Sequence, residues 1–193
     1  MNKLIGLAGN ATVGKDTFCK LLTEANPDFK RFAFADFLKH EVSDILRHNF
    51  GLNVYNNEDK IFARDFLVSW GHLRREQTEG KYFINLLEEE IRKVLFNRKY
   101  VVPVITDVRF ATYPYDELNF VKDTGILVYI DKYYQSYDNV GPANEKEAYN
   151  NPILKQSADY LFEWQDCGGD YSIIKSKYFN KVKEFIEWFQ IKS

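Results

Sequence analysis

The chain has 193 residues, a length that fits one domain better than two and allows a sizeable core. Its content of 45% hydrophobic and 28% charged residues is typical of a globular protein and excludes a disordered or fibrous one. The 26 basic and 28 acidic side chains nearly balance, at a formal net charge of -2, which argues against stable nucleic-acid or membrane binding.

The cysteine and histidine content excludes several kinds of site. Cys19 and Cys167 are too few for a disulfide scaffold, and the sequence has no CxxC pair for zinc or redox chemistry. His40, His48 and His72 make no metal-ligand spacing. No apolar run approaches the roughly 20 residues that span a bilayer, and no signal peptide is predicted. We therefore expect a soluble, reduced and cytoplasmic protein.

The predicted elements alternate between strands and helices. Asp36 is a candidate N-cap, Gly71 a candidate C′ residue, and Pro103 indicates a bulge or an edge position inside its strand. The alternation predicts an α/β fold with a mainly parallel five-stranded sheet between layers of helices. Strand patterns cover residues 3–8, 32–35, 100–106, 125–131 and 158–164, and helical patterns cover about 15–24, 38–46, 61–70, 82–99 and 172–190.

A glycine-rich loop joins the first predicted strand to the first helix. Residues 9–15 fit the GxxxxGK pattern, whose glycines let backbone N–H groups wrap a phosphate at a helix N-terminus. Lys15 would reach the β- and γ-phosphates of a nucleotide. The pattern predicts a P-loop, and an ordinary glycine turn is the weaker interpretation. The predicted ATP-binding residues are Gly9, Asn10, Ala11, Thr12, Val13, Gly14, Lys15, Asp16 and Thr17.

The residue after Lys15 departs from the usual pattern. Asp16 stands where a Ser or Thr hydroxyl commonly binds Mg²⁺, and Thr17 follows it. Asp16 would hold the metal directly or through water, or would only start the helix favourably. Thr17 would hydrogen-bond a phosphate in either case.

An acidic and a basic residue follow the third predicted strand. Asp107 and Arg109 lie at the carboxyl end of this strand, the edge at which open α/β sheets bind ligands. Asp107 suits a role beside Mg²⁺ and Arg109 suits a phosphoryl group. The alternative is a buried ion pair that finishes the strand.

Two further segments are candidates for binding an acceptor substrate. Asp36 and Lys39 directly follow the second predicted strand, although Asp36 could equally be a plain helix cap. Trp70, Arg74 and Arg75 combine a flat aromatic ring with two guanidinium groups that can clamp a phosphate. The alternative is a core tryptophan beside a solvated basic helix.

Four motifs, taken together, resemble the deoxynucleoside monophosphate kinases of bacteriophages, in the P-loop nucleoside monophosphate kinase group. They are GxxxxGKDT at 9–17, FAFADxLK at 32–39, WGxxRR at 70–75 before a tyrosine-led helix, and ITDVRF at 105–110. The resemblance covers about residues 1–130. It implies one kinase domain of P-loop NTPase type, with an acceptor-binding region at about 36–85 and a lid at about 132–152.

The resemblance also implies an activity and a set of roles. The enzyme would transfer the γ-phosphoryl group of ATP to a deoxynucleoside 5′-monophosphate (dNMP), with Mg²⁺. Lys15, Asp36, Asp107 and Arg109 would form the catalytic set, and Asp16, Thr17 and Asp107 would serve the metal. The acceptor contacts would come from Asp36, Lys39, Trp70, Arg74, Arg75 and Arg109. The adenine site is expected near residues 166–169, and a homodimer is compatible with the family.

Two other classes of function stay open at this point. Another small P-loop kinase, of the phosphomevalonate or dephospho-CoA type, needs the same loop and acceptor arginines. A non-catalytic nucleotide-binding regulator is the second alternative. A GTPase is disfavoured, because the string at 180–183 lacks the Asp of the NKxD guanine motif.

Overall fold

The computed structural model describes residues 3–98, 100–133 and 145–192. Five parallel strands form one sheet in the order β2-β3-β1-β4-β5, with helices on both faces, so the predicted three-layer α/β fold is confirmed. The strands are β1 (Leu4–Ala8), β2 (Phe29–Phe32), β3 (Val102–Ile105), β4 (Gly125–Tyr133) and β5 (Tyr160–Gln165). The helices are α1 (Lys15–Ala25), α2 (Phe34–Phe50), α3 (Asn57–Phe62), α4 (Arg64–Gln77), α5 (Lys81–Asn97), α6 (Glu117–Thr124), α7 (Glu145–Ser157) and α8 (Tyr171–Lys192).

Each face of the sheet has its own apolar core. Alternate side chains of a strand point to opposite faces, so Ile5 and Leu7 of β1 pack with α1 and α8, whereas Leu4 and Ala8 pack with α5, α6 and α7. A third, smaller core joins α2 to α4 on the side of the predicted acceptor region. Its buried residues are Val42, Leu46, Val54, Ala63 and Leu67.

The second strand lies three residues earlier than predicted. β2 ends at Phe32, and Phe34 already belongs to the first turn of α2, after the extended residue Ala33. The helix begins there because the carboxylate of Asp107 accepts hydrogen bonds from the N–H groups of Phe34 (2.9 Å) and Ala35 (2.8 Å). The prediction that Asp36 caps this helix is therefore wrong. A residue 73 positions away in the sequence does so.

This long-range cap gives a prediction about stability. We expect Asp107→Ala to lower the free energy of unfolding by about 1–2 kcal/mol, as lost N-caps do. Urea denaturation of the purified protein measures this loss. Asp36→Ala is the matched control, because its half-exposed side chain makes only surface ion pairs of small energy. A larger loss for Asp36→Ala than for Asp107→Ala would contradict the assignment.

Two other local predictions are corrected by tertiary contacts. Gly71 does not end a helix, since α4 continues to Gln77. It faces α2, where a Cβ at Gly71 would lie at an ordinary contact distance of 3.4 Å from Leu38 Cδ2. Pro103 occupies neither an edge nor a bulge, because β3 lies between β2 and β1. The N–H of Val102 donates to Asp28, just before β2, and the N–H of Thr106 donates to Phe32 at its end. The nitrogen of Pro103 therefore faces β1, where pairing starts only at Ile5 and Val104.

The predicted lid lies partly outside the described residues, which exclude 134–144. Residues 132–133 complete β4, and 145–152 belong to α7. α3, α6 and α7 are additional helices that the sequence patterns did not predict. Within the described part of the chain, no helix combines the length and apolarity needed to cross a membrane.

Candidate functional site

The loop between β1 and α1 has the backbone shape of a phosphate cradle. Gly9 (φ 133°) and Gly14 (φ 97°) both adopt positive φ values, and a Cβ on Gly9 would collide with the carbonyl oxygen of Ile130. Lys15, which is buried, donates from Nζ to the carbonyl oxygens of Gly9 (2.7 Å) and Asn10 (2.8 Å). Its ammonium group thus lies at the loop's centre, where a phosphate oxygen can replace these carbonyls.

Two side chains from distant elements hold this loop in place, and a third holds the loop that follows β3. Trp164 of β5 donates its indole N–H to the carbonyl of Val13 (2.7 Å), and its ring fills the space that a Cβ at Gly14 would need. From α7, Asn151 donates to the side-chain oxygen of Asn10. The next residue, Asn150, accepts from Ala111 N (2.9 Å) in the loop after β3. α7 therefore connects the phosphate loop to the loop after β3, which carries Arg109.

A pocket opens beside the loop on the β5 side. Its volume is about 140 Å³, and it is lined by Thr12, Thr17, Trp164, Asp166 and Gly169, among others. These contacts include part of the segment expected to bind adenine. They also include Thr17, which was expected to serve a phosphate and the metal.

Charged residues cluster on the other side of the loop, toward β2. Asp16 pairs with Nε of Arg31 (3.0 Å), and Arg31 pairs through Nη1 with Asp36 (2.6 Å). Lys39 lies 4.0 Å from Asp36. The first turns of α1 and α2 are thus bridged by Arg31, a residue that the sequence analysis missed because its strand was placed too late in the chain.

A basic group from α3 and α4 lies near this cluster. Partial desolvation and then the positive charges of Lys39, Arg109 and Arg64 lower the pKa of Lys60. Lys60 and Arg64 were not predicted as site residues, because residues 51–60 read as a loop. The sequence did contain one indication of a shared basic face: Lys60 and Arg64 are four residues apart, the spacing of neighbours on a helix surface.

Asp107 lies buried at the end of β3, beside β1, as the sequence predicted. Burial raises the pKa of its carboxyl, and the N–H groups of Ala35 and Phe34 act in the opposite direction. Within the described residues no group of three or more His, Cys, Asp or Glu forms a metal cage. Mg²⁺ bound through nucleotide phosphates needs only one or two carboxylates, so Asp107 and Asp16 fit that ion.

Glu117 holds the backbone that carries Arg109. Its Oε2 accepts from Arg109 N (2.6 Å) and Phe110 N (3.2 Å). Burial raises the pKa of Glu117 to about 8, with Arg75 opposing the shift and Asp107 adding to it. A carboxyl with this pKa is mostly protonated in the folded protein at neutral pH.

The raised pKa of Glu117 predicts a pH dependence of stability. The folded protein binds a proton that the unfolded chain releases near pH 4.5, so the stabilisation present below pH 4.5 is lost as pH rises toward 8. We expect wild type to lose stability relative to Glu117→Gln across this window, by at most about 1.4 kcal/mol per pH unit. Urea unfolding of both proteins from pH 5 to 8 measures the difference. Parallel pH profiles would contradict the prediction.

The two adjacent arginines of α4 have different surroundings. Arg75 is buried, donates from Nη2 to both oxygens of Asp116 (2.7 Å each), and lies 3.5 Å above the ring of Phe110. Asp116 also accepts from Thr112 N and Tyr113 N. Arg75 is therefore placed to anchor the 110–116 loop and not to meet an acceptor phosphate as expected.

Arg74 points toward α2 and α5. Its Nε donates to Glu41 Oε1 (2.8 Å), which also accepts from the Tyr82 hydroxyl (3.2 Å). The guanidinium lies over the rings of Tyr82 and Trp70, at 4.8 and 5.2 Å. Trp70 also stacks with Phe66 at 5.9 Å. The expected contact of Trp70 with a base would require these neighbours to move.

Comparison with known proteins finds similarity among solved structures. No protein-family model and no curated protein matches the sequence. A dephospho-CoA kinase from Campylobacter jejuni is 14% identical, with a TM-score of 0.48 and coverage of 94% of this chain and 97% of that one. A shikimate kinase from Bacteroides thetaiotaomicron is 16% identical, with a TM-score of 0.47 and coverage of 96% and 98%. Neither similarity identifies a substrate of this chain.

Proposed function

We propose that this protein is a P-loop kinase that transfers the γ-phosphoryl group of ATP to a deoxynucleoside 5′-monophosphate, forming ADP and the diphosphate. One observation carries the proposal: the phosphate loop has an opening of about 140 Å³ on its β5 side and a cluster of cationic side chains on its β2 side. Two phosphorylated ligands can therefore approach the same loop from opposite directions.

On the donor side, ATP would lie with its base toward residues 166–169 and its phosphates in the loop. The Lys15 ammonium would exchange the carbonyls of Gly9 and Asn10 for β- and γ-phosphate oxygens. Thr17, which lines the pocket, would donate to a phosphate nearer the base. The N-terminus of α1 adds the favourable end of its dipole.

On the acceptor side, the monophosphate would bind between the loop and helices α2 to α4. Arg109, Lys39 and Arg74 supply positive charge, with Arg74 requiring release from Glu41. An anionic oxygen of the acceptor phosphate attacks the γ-phosphorus, and ADP leaves. No general base is needed, because that oxygen carries no proton to remove. Catalysis consists of positioning and charge neutralisation.

Mg²⁺, when bound, would neutralise charge on the β- and γ-phosphates. Asp107 and Asp16 are the residues we assign to it. Their carboxylates lie at the ends of β3 and of the phosphate loop, the two neighbouring positions of the sheet edge.

A substrate panel tests the proposal directly. ADP release is measured with ATP, Mg²⁺ and, separately, dAMP, dGMP, dCMP, dTMP, hydroxymethyl-dCMP, AMP, phosphomevalonate and dephospho-CoA. Turnover dependent on one or several dNMPs is the expected result. Turnover with a non-nucleotide acceptor alone would overturn the substrate class and keep the kinase chemistry. ATP binding without turnover on any acceptor would favour a nucleotide-binding regulator.

A further inference from the structure

Arg31 lies between α1, which follows the phosphate loop, and α2, which borders the proposed acceptor region. Its Nε lies 3.0 Å from Asp16 in the first turn of α1, and its Nη1 lies 2.6 Å from Asp36 in the first turn of α2. The register of β2 with β3 pairs Arg31 with Val104, which places it beside the strand that leads to Asp107. The guanidinium therefore stands at the edge where both phosphates of the proposed reaction would meet.

The ion pairs of Arg31 contribute little to folding. The side chains of Arg31, Asp16 and Asp36 are 44%, 74% and 48% exposed, and ion pairs at such exposure are weak because water screens them. An arginine that bridges two acidic residues keeps the planar, two-point geometry that also recognises a phosphate. The two ion pairs therefore hold an arginine that is suited to phosphate binding, and they have little effect on the free energy of unfolding.

We propose that Arg31 is a catalytic arginine of the phosphoryl transfer, held by Asp16 and Asp36 in the unliganded protein and turned toward the transferring phosphoryl group when both substrates bind. This inference rests on the proposed function. Asp16 turns to the nucleotide and its metal, and Asp36 turns to the acceptor, so each ligand competes for one end of the bridge. No bond forms to Arg31, and its role is to neutralise charge that develops on the phosphoryl oxygens.

Three variants test the proposal: Arg31→Ala, Arg31→Lys and the control Arg92→Ala. Arg92 makes a comparable exposed ion pair, with Glu88 on α5, outside the site. We expect Arg31→Ala to lower kcat by about 10²- to 10³-fold while the KM for ATP changes much less. Arg31→Lys keeps the charge without the two-point geometry, so we expect it to restore only a small part of kcat.

A binding measurement separates this role from a structural one. Without Mg²⁺, the bare carboxylate of Asp16 would repel nucleotide phosphates in Arg31→Ala, so calorimetric ADP affinity should fall more in EDTA than with Mg²⁺. Arg31→Lys should recover this affinity, and Arg92→Ala should match wild type in both buffers. An equal loss of ADP affinity in EDTA and with Mg²⁺ would contradict the proposed pairing of Arg31 with Asp16 in the site.

The outcomes distinguish the inference from the function on which it rests. Wild-type protein that is silent with every dNMP would overturn the proposed function, and the inference with it. An active wild type beside Arg31→Ala with kcat within about threefold would overturn the inference alone. A melting temperature of Arg31→Ala far below that of Arg92→Ala, with kcat restored by Arg31→Lys, would show a structural role instead.

Discussion

Lys15→Ala is expected to abolish phosphoryl transfer, with a loss of about 10³-fold or more in kcat. The ammonium group is buried at the centre of the loop and bonded to two of its carbonyl oxygens, so no neighbouring cation can take its position over the β- and γ-phosphates. The glycine conformations that shape the loop remain in the variant. Coupled ADP release with the accepted dNMP measures the effect.

The control for this experiment is Lys93→Ala, which removes an exposed lysine paired with Glu89 on α5. We expect wild-type kcat for the control and unchanged far-ultraviolet circular dichroism for both variants. Near-wild-type turnover of Lys15→Ala would refute the assignment of this lysine to the transferred phosphates.

Arg75→Ala is expected to cause the largest loss of stability, about 3–5 kcal/mol in the free energy of unfolding. The change leaves the carboxylate of Asp116, whose side chain is 0% exposed, without its cation, and it also removes the contact with the Phe110 ring. Urea denaturation at neutral pH measures the loss. If the variant is too unstable to purify, limited proteolysis of freshly expressed protein gives the same comparison.

Two further variants isolate the cause. The double change Arg75→Met with Asp116→Asn removes both charges, so it should recover much of the stability that Arg75→Ala loses. Arg74→Ala truncates the adjacent arginine, whose partner Glu41 is partly exposed, and should cost less. Equal losses for Arg74→Ala and Arg75→Ala would contradict the structural role of the buried pair.

The sequence was sufficient for the parts of the site that depend on neighbours in the chain. A strand, a glycine loop and a lysine at the start of a helix predicted the phosphate cradle, and the position of Asp107 followed from the end of an apolar strand. The parallel sheet also followed, since strands alternate with helices. In each case the signal is a pattern of residues that are close together in the sequence.

The errors concern interactions between distant parts of the chain. Phe34 and Ala35 resembled a strand, and only the carboxylate of Asp107 shows that they begin a helix. Because the predicted strand began at residue 32, Arg31 was not recognised as a residue of β2. Gly71 resembled a helix end, although α4 continues through it to Gln77.

The contrast between the two adjacent arginines has a similar origin. In sequence Arg74 and Arg75 are equivalent, but consecutive helical residues point about 100° apart, so they meet different partners. One pairs with Glu41 on α2, and the other pairs with Asp116 in the loop before α6. The partners that decide their roles lie 33 and 41 residues away.

The indole of Trp164 has a spectroscopic consequence. It bonds directly to the phosphate loop and lines the pocket that we propose for the donor, so a ligand that enters this pocket alters the surroundings of a natural fluorophore. Trp70 lies in the proposed acceptor region, and Trp188 packs on Phe185 in α8, away from both. Replacing Trp188 and Trp70 by Phe would leave Trp164 as a single reporter for the proposed donor pocket, and replacing Trp188 and Trp164 would leave Trp70 as a single reporter for the proposed acceptor region. With these two variants, the order in which the two substrates bind could be followed in real time without a label.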